Sequence, residues 1–209
     1  MFSPASVFSA VSSASLRFHL RARTQDAHQR LDATIGALES MPAYRRYLRG
    51  QYAFRAPVER ALAEIAWPAA FDDYRPRAVL PALSADLEDL GVATLRLRQD
   101  ADLAHRLEDE AALIGTLYVL EGSSLGAQLL YRCARDLGLG EGFGARHLAL
   151  QAGNVVGWRR FLAVMQSLRV DPEIAVQAAT HMFDRALEAF IAAEGDPVRG
   201  AFAPRASHG

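Results

Sequence analysis

Apolar positions recur along this chain at helical spacing, about 3.6 residues apart, and hardly ever in strand-like alternation. From Leu16 to Ile35, the residues Leu20, Thr24, Ala27 with His28, Leu31 and Ile35 fall on one stripe, and Ser13 or Ser15 is placed to cap its start. Ser40 and Pro42 open a second helical stretch with Tyr44, Tyr47, Leu48, Gln51 and Phe54 inward. Pro57 is expected to kink or break that stretch before Val58, Leu62 and Ile65. Trp67 to Tyr74 reads as a connector, and Pro76 to Leu90 as a short helix closed by Gly91. Ala101 to Leu137 reads as one long helical run. Asn154 to Leu168 reads as a helix burying Val155, Trp158, Phe161, Leu162 and Met165. Asp171-Pro172-Glu173 is a capped helix start, and that helix is expected to reach about Ala193. The pattern predicts an all-α fold in one domain over 16–194, with a flexible Ser-rich arm at 1–15 and a frayed tail at 195–209.

Composition narrows the function classes. The chain has 209 residues, 51% of them hydrophobic and 22% charged, a balance that supports one sizeable core. A net charge of -1 offers no basic field for nucleic acid, and no apolar run is long enough for a membrane span. All 23 cationic side chains are arginine, so an anionic ligand meets guanidinium forks. The single cysteine, Cys133, excludes an internal disulfide or a Cys-pair metal site and suits a reducing cytoplasm. Four glycines at alternate positions from Gly138 to Gly144 make a loop, but no apolar strand precedes it, which weakens a dinucleotide-binding interpretation.

The stretch Leu117 to Leu130 breaks the pattern. Gly122 and Gly126 stand four apart inside a helical apolar run, where each glycine costs about 1 kcal/mol relative to alanine. They share one helix face and strip it of side chains. Such a face admits either a close helix–helix crossing or a flat ligand pressed on the backbone, and the helix is free to bend there. Gly122-Ser123-Ser124-Leu125-Gly126 also fits the G-x-S-x-G pattern of a nucleophile elbow, which requires a strand before it.

His28 lies beside Ala27 and Leu31, with Asp32 one turn later and within reach of the imidazole. A metal-bound histidine commonly gives its other ring N–H to such a carboxylate; a plain surface ion pair fits the spacing equally. Arg21 is about 10 Å before His28 on the same face, and Arg17 one turn further. The other histidines, His19, His105, His147, His181 and His208, show no paired helical spacing for a multi-histidine metal site.

Thr24-Gln25-Asp26-Ala27-His28-Gln29-Arg30-Leu31-Asp32 together with Leu117 to Gln128 resembles bacterial haem oxygenases, above all the biliverdin-forming enzymes that accompany bacteriophytochromes. Gly157 to Phe161 also fits, and the resemblance spans roughly Leu16 to Ala193. It implies haem b, as both substrate and cofactor, held between a proximal N-terminal helix and a kinked, Gly-containing distal helix. It implies cleavage by oxygen and electrons to biliverdin, carbon monoxide and ferrous iron. On the matching positions, His28 is the axial iron ligand with Asp32 behind it; Gly122 and Gly126 lie over the haem; Ser123 and Ser124 fall at a hydrogen-bonded water network. Arg21 and Tyr118 match propionate contacts, with Arg132 and Arg135 as further candidates. Ser123 stands where some relatives have an aspartate, and Ala127 where some have a second glycine. No flavin or dinucleotide fingerprint is visible, so the implied electron donor is external, a ferredoxin or an NAD(P)H reductase system. A bacteriophytochrome receiving biliverdin is the implied partner.

Two other functions compete on the same residues. A haem-sensing protein of this fold would share the ligation without turnover. A serine hydrolase would use Ser124 with Asp171 and His181, and would need a parallel sheet.

Overall fold

The computed structural model describes residues 13–95 and 100–195, and its organising element is the last helix. Eight α-helices lie among the described residues: α1 (Ser13–Ile35), α2 (Met41–Glu64), α3 (Leu80–Asp89), α4 (Leu103–Arg106), α5 (Glu110–Asp136), α6 (Arg146–Ala152), α7 (Val155–Ser167) and α8 (Pro172–Gly195). A single 3-10 turn, Ala69–Phe71, interrupts the connector after α2. Strands are absent among the described residues, as the periodicity predicts. Residues 1–12 of the expected arm and 196–209 of the expected tail lie outside the described residues; 13–15 already belong to α1.

α8 buries Ala175, Ala179, Ala186, Ala189 and Ala193 together with Met182, Phe183 and Phe190. Small residues at helical spacing let neighbouring backbones come close. α1, α2 and α5 all pack on this spine. Gly50 of α2 sits against the Phe190 ring, and Gly115 of α5 sits against the Ala175 carbonyl, each where a Cβ would collide. α8 starts as its sequence indicates, with the Asp171 side chain accepting from the Glu173 amide at 2.8 Å. The main core joins α1, α2, α5, α7 and α8; a second core, around Tyr44, Tyr47, Leu83 and Leu148, joins α2 and α3 to α6.

Three expectations about the elements need correction. α2 continues through Pro57 to Glu64; the buried Phe54, Val58 and Leu62 hold both sides of the missing hydrogen bond in place. The run 101–137 is two helices, because Asp109 caps a new start with its side chain accepting from the Ala112 amide at 2.9 Å. Val155 is exposed rather than part of the α7 stripe, which is carried by Trp158, Phe161, Val164 and Met165.

The glycine-rich loop is a structural joint. Gly138 and Gly144 have φ of 81° and 71°, conformations open to glycine. The Gly144 amide donates to Asp89 at 2.8 Å and its carbonyl accepts from Tyr44 Oη at 2.8 Å. These groups are occupied and form no phosphate cradle.

Candidate functional site

His28 projects from the flank of α1 rather than into the core, with 61% of its side chain exposed. Its Nδ1 lies 2.9 Å from Asp32 Oδ2. A carboxylate can only accept, so Nδ1 donates to Asp32 and Nε2 is the ring nitrogen left for another partner. The ring edge rests on Phe183 of α8, with centroids 5.8 Å apart, a contact that no local pattern around His28 announces. Asp32 and Phe183 together fix the ring while leaving Nε2 available to a ligand.

α1 meets α5 at Tyr118. Burial pushes the Tyr118 phenol up from its ordinary value, against the opposing pull of the Arg17 and Arg21 charges and the neighbouring Thr24. Arg17 also stacks over Trp158, 5.7 Å from the ring centre, and Trp158 lies 6.2 Å from the Tyr118 ring. The Arg21 charge is thus felt at Tyr118; these are the two residues expected at the propionates. Arg132 and Arg135 are exposed near the end of α5, about 21 Å and about 26 Å along the helix from Tyr118 at about 1.5 Å per residue. The fold does not gather them into the Arg21–Tyr118 group.

The two glycines of α5 open onto free space. A Cβ placed on Gly122 or Gly126 meets nothing within 4 Å. The close-crossing explanation belongs instead to Gly115, about two to three turns earlier in the same helix. Leu125 and Leu129 flank the bare patch with 56% and 58% exposure. An exposed apolar face with a side-chain-free centre is what a flat hydrophobic ligand would cover. α1 and α5 each pack on α8 more than on one another.

The serines stand differently from expectation. Ser124 is buried on the side of α5 away from the glycines, with Oγ donating to the Glu121 carbonyl at 2.6 Å. Ser123 borders the bare patch, but its hydroxyl is fully engaged. It donates to the Leu120 carbonyl at 2.7 Å and accepts from Arg55 Nη2 at 2.8 Å and Gln151 Nε2 at 3.2 Å. Neither hydroxyl is free to face a ligand over Gly122 and Gly126.

Behind α5 lies a polar cluster that the sequence did not disclose. Arg55, only 4% exposed on α2, bonds the Leu120 carbonyl at 3.2 Å and Glu59 at 3.3 Å besides Ser123. Glu59 in turn accepts from the Val79 and Leu80 amides at 3.0 Å each. Arg55, Glu121, Ser124, Gln151 and Asn154 line a cavity of about 10 Å³, the space of one water molecule. Burial pushes the Glu121 carboxyl up, outweighing Tyr74, Arg55, Arg77 and Asn154, which all favour the ionised form. The available signal was Arg55 one turn after Gln51 on α2.

A hydrolase site is not assembled. Asp171 caps α8, and His181 faces Asp100 at 3.4 Å; the sheet that an elbow needs is absent among the described residues. Among the described residues no group of three or more His, Cys, Asp or Glu side chains is arranged to hold a bare metal ion. No helix of the described residues is long and apolar enough to cross a membrane.

Comparison with known proteins agrees with this geometry. The sequence profile of the Heme oxygenase family matches residues 14–192. The haem oxygenase PigA of Pseudomonas aeruginosa is 34% identical over 172 residues, 78% of this chain and 84% of that one. A haem oxygenase of Xanthomonas campestris is 32% identical over 123 residues, 59% of this chain and 72% of that protein. The NO- and CO-bound haem oxygenase from Neisseria meningitidis superposes with a TM-score of 0.69 at 27% identity, covering 93% of this chain and 98% of that one. The chain belongs to the haem oxygenase family.

Proposed function

We propose that this chain opens the haem ring oxidatively, with oxygen and electrons, to biliverdin, carbon monoxide and ferrous iron. The observation that carries the assignment is the open backbone of α5 at Gly122 and Gly126, where an added Cβ would meet nothing within 4 Å. His28 would hold the haem iron from α1, with Asp32 holding its tautomer. Arg21 and Tyr118 take the propionates, and Arg17 adds positive charge beside them. Haem, as substrate, also supplies the iron that activates oxygen; the protein orients the ring and limits which edge is exposed.

Leu125 and Leu129 contribute apolar contact on either side of the glycines. They keep bulk water off the reacting face once a porphyrin is seated. The electron donor is external, a ferredoxin or an NAD(P)H reductase system, and a bacteriophytochrome is the recipient of the product that the sequence resemblance supports. Haem sensing without turnover shares the ligation and predicts no pigment.

Mixing the protein with one equivalent of ferric haem and ascorbate under air decides between them. Conversion to biliverdin, identified by chromatography, is expected. A stable haem complex that survives both ascorbate and a ferredoxin system would reject catalysis and leave the sensing function.

A further inference from the structure

Arg55 is a buried charge on α2, 4% exposed. Phe54, Val58 and Leu62 are buried near it, while Gln51 and Glu59 stand one turn before and one turn after it on the same face. A cation in such a place is costly unless paired, and an apolar side chain of similar length would pack there without that cost. Packing alone does not call for a guanidinium. Its hydrogen bonds converge on one turn of α5, at the Leu120 carbonyl and the Ser123 hydroxyl, immediately around Gly122.

We propose that Arg55 is the positioning residue of the distal face: by holding Leu120 and Ser123, it sets how the Gly122–Gly126 backbone meets the haem and so which ring edge reacts. The proposal rests on the haem-cleaving function above. A continuous chain of contacts supports it. The Val79 and Leu80 amides hold Glu59; Glu59 holds Arg55 Nη1; Arg55 Nη2 holds Ser123. The bare turn is thereby tied to the start of α3 through α2. The planar fork fixes the angle as well as the distance, which a flexible ammonium would not. With one proton given and two lone pairs filled, the Ser123 hydroxyl has no freedom to turn toward the haem. Serines that bond back to a carbonyl one turn earlier also bend helices, so the clamp acts where the helix is softest. The charged and titratable groups that face Arg55 are Glu59 and Tyr47 of α2, Glu121 of α5 and His147 of α6.

The test uses full-length protein loaded with haem and three variants, Arg55→Met, Arg55→Lys and Ser123→Ala. The readouts are the C–O stretching frequency of the ferrous carbonmonoxy form, the ratio of biliverdin isomers, and kcat against KM. Arg55→Met is expected to shift the C–O band, change the isomer ratio, and lower kcat by about 10–100-fold. KM for haem is expected to stay within about twofold, because haem binding does not require the clamp. Arg55→Lys keeps the charge but not the fork, and is expected to fall between. Ser123→Ala is expected to reproduce part of the effect in the native background and to add nothing to Arg55→Met. An unchanged C–O band and isomer ratio in Arg55→Met, or additive effects of the two substitutions, would overturn the proposal. Should Arg55→Met not fold, an unchanged C–O band in Ser123→Ala overturns it alone. Loss of the parent function shows differently, as native protein that binds no haem or makes no biliverdin.

Discussion

Glycines in α5 do two opposite jobs. A Cβ added at Gly115 would strike the Ala175 carbonyl, whereas one at Gly122 or Gly126 would meet nothing within 4 Å. Gly115→Ala should therefore destabilise the fold by about 1–3 kcal/mol through overpacking. Gly122→Ala and Gly126→Ala should each stabilise the haem-free protein by up to about 1 kcal/mol, since they add helix propensity without a clash. The same two substitutions should slow haem turnover, because each methyl intrudes on the bare patch. Thermal melts of the haem-free variants and initial rates of biliverdin formation check both halves. A Gly122→Ala protein less stable than the native one would show that its face is packed. This contrast was beyond the sequence: all three glycines sit in the same apolar helical pattern. The His28–Asp32 pair, by contrast, was legible, because a four-residue spacing on a helix settles the contact locally. The Arg55–Ser123 contact was not, since it joins two helices whose juxtaposition only the tertiary fold creates.

At the level of elements, the joint between α3 and α6 is the most charged part of the interior. Asp86 is fully buried and accepts from the Arg146 and His147 amides at 3.0 Å each and from His147 Nδ1 at 2.7 Å. Arg146 also pairs with Asp89, and His147 stacks on Tyr47 with ring centres 5.9 Å apart. Burial raises the Asp86 carboxyl, but these hydrogen bonds outweigh it and hold the group below the ordinary carboxylate range. Burial likewise depresses His147 below its usual 6.5, against the pull of Asp86, so the imidazole stays neutral in the fold. The unfolded chain binds a proton at His147 that the native chain does not, so this contribution is present above about pH 6.5 and falls away on acidification. Asp86 acts in the same direction lower down, below its unfolded value of 3.8. His147→Asn should flatten part of the fall in melting temperature between about pH 7 and pH 5, and Asp86→Ala should cost about 3–5 kcal/mol. A pH series of melts in which native and His147→Asn curves stay parallel would contradict the first. None of this was visible beforehand. A seven-residue helix after a glycine loop has too few positions for periodicity, and the acid that caps it comes from another helix. The break at Asp109 was readable from its capping chemistry; the apolar rhythm on either side obscured it.

For the molecule as a whole, α8 is a floor on which α1 and α5 stand as two walls. The sequence predicted α1 closely, and it merged α5 with the short helix before it. The floor also emerged at its capped start. What the sequence left open was whether the two walls enclose a ligand or pack on each other, a question of tertiary spacing that periodicity does not address. The open face of Gly122 and Gly126 and the exposed ring of His28 are what the proposed ligand site rests on. In that proposal Arg17, Arg21 and Tyr118 would hold the anionic edge of the ligand. The most direct test of this arrangement is the iron–histidine stretching band, measured by resonance Raman spectroscopy on the ferrous haem complexes of native protein and His28→Ala. The band should be present in the native complex, absent in His28→Ala and restored by added imidazole. An identical band in His28→Ala without imidazole would place the iron on another residue and contradict the account.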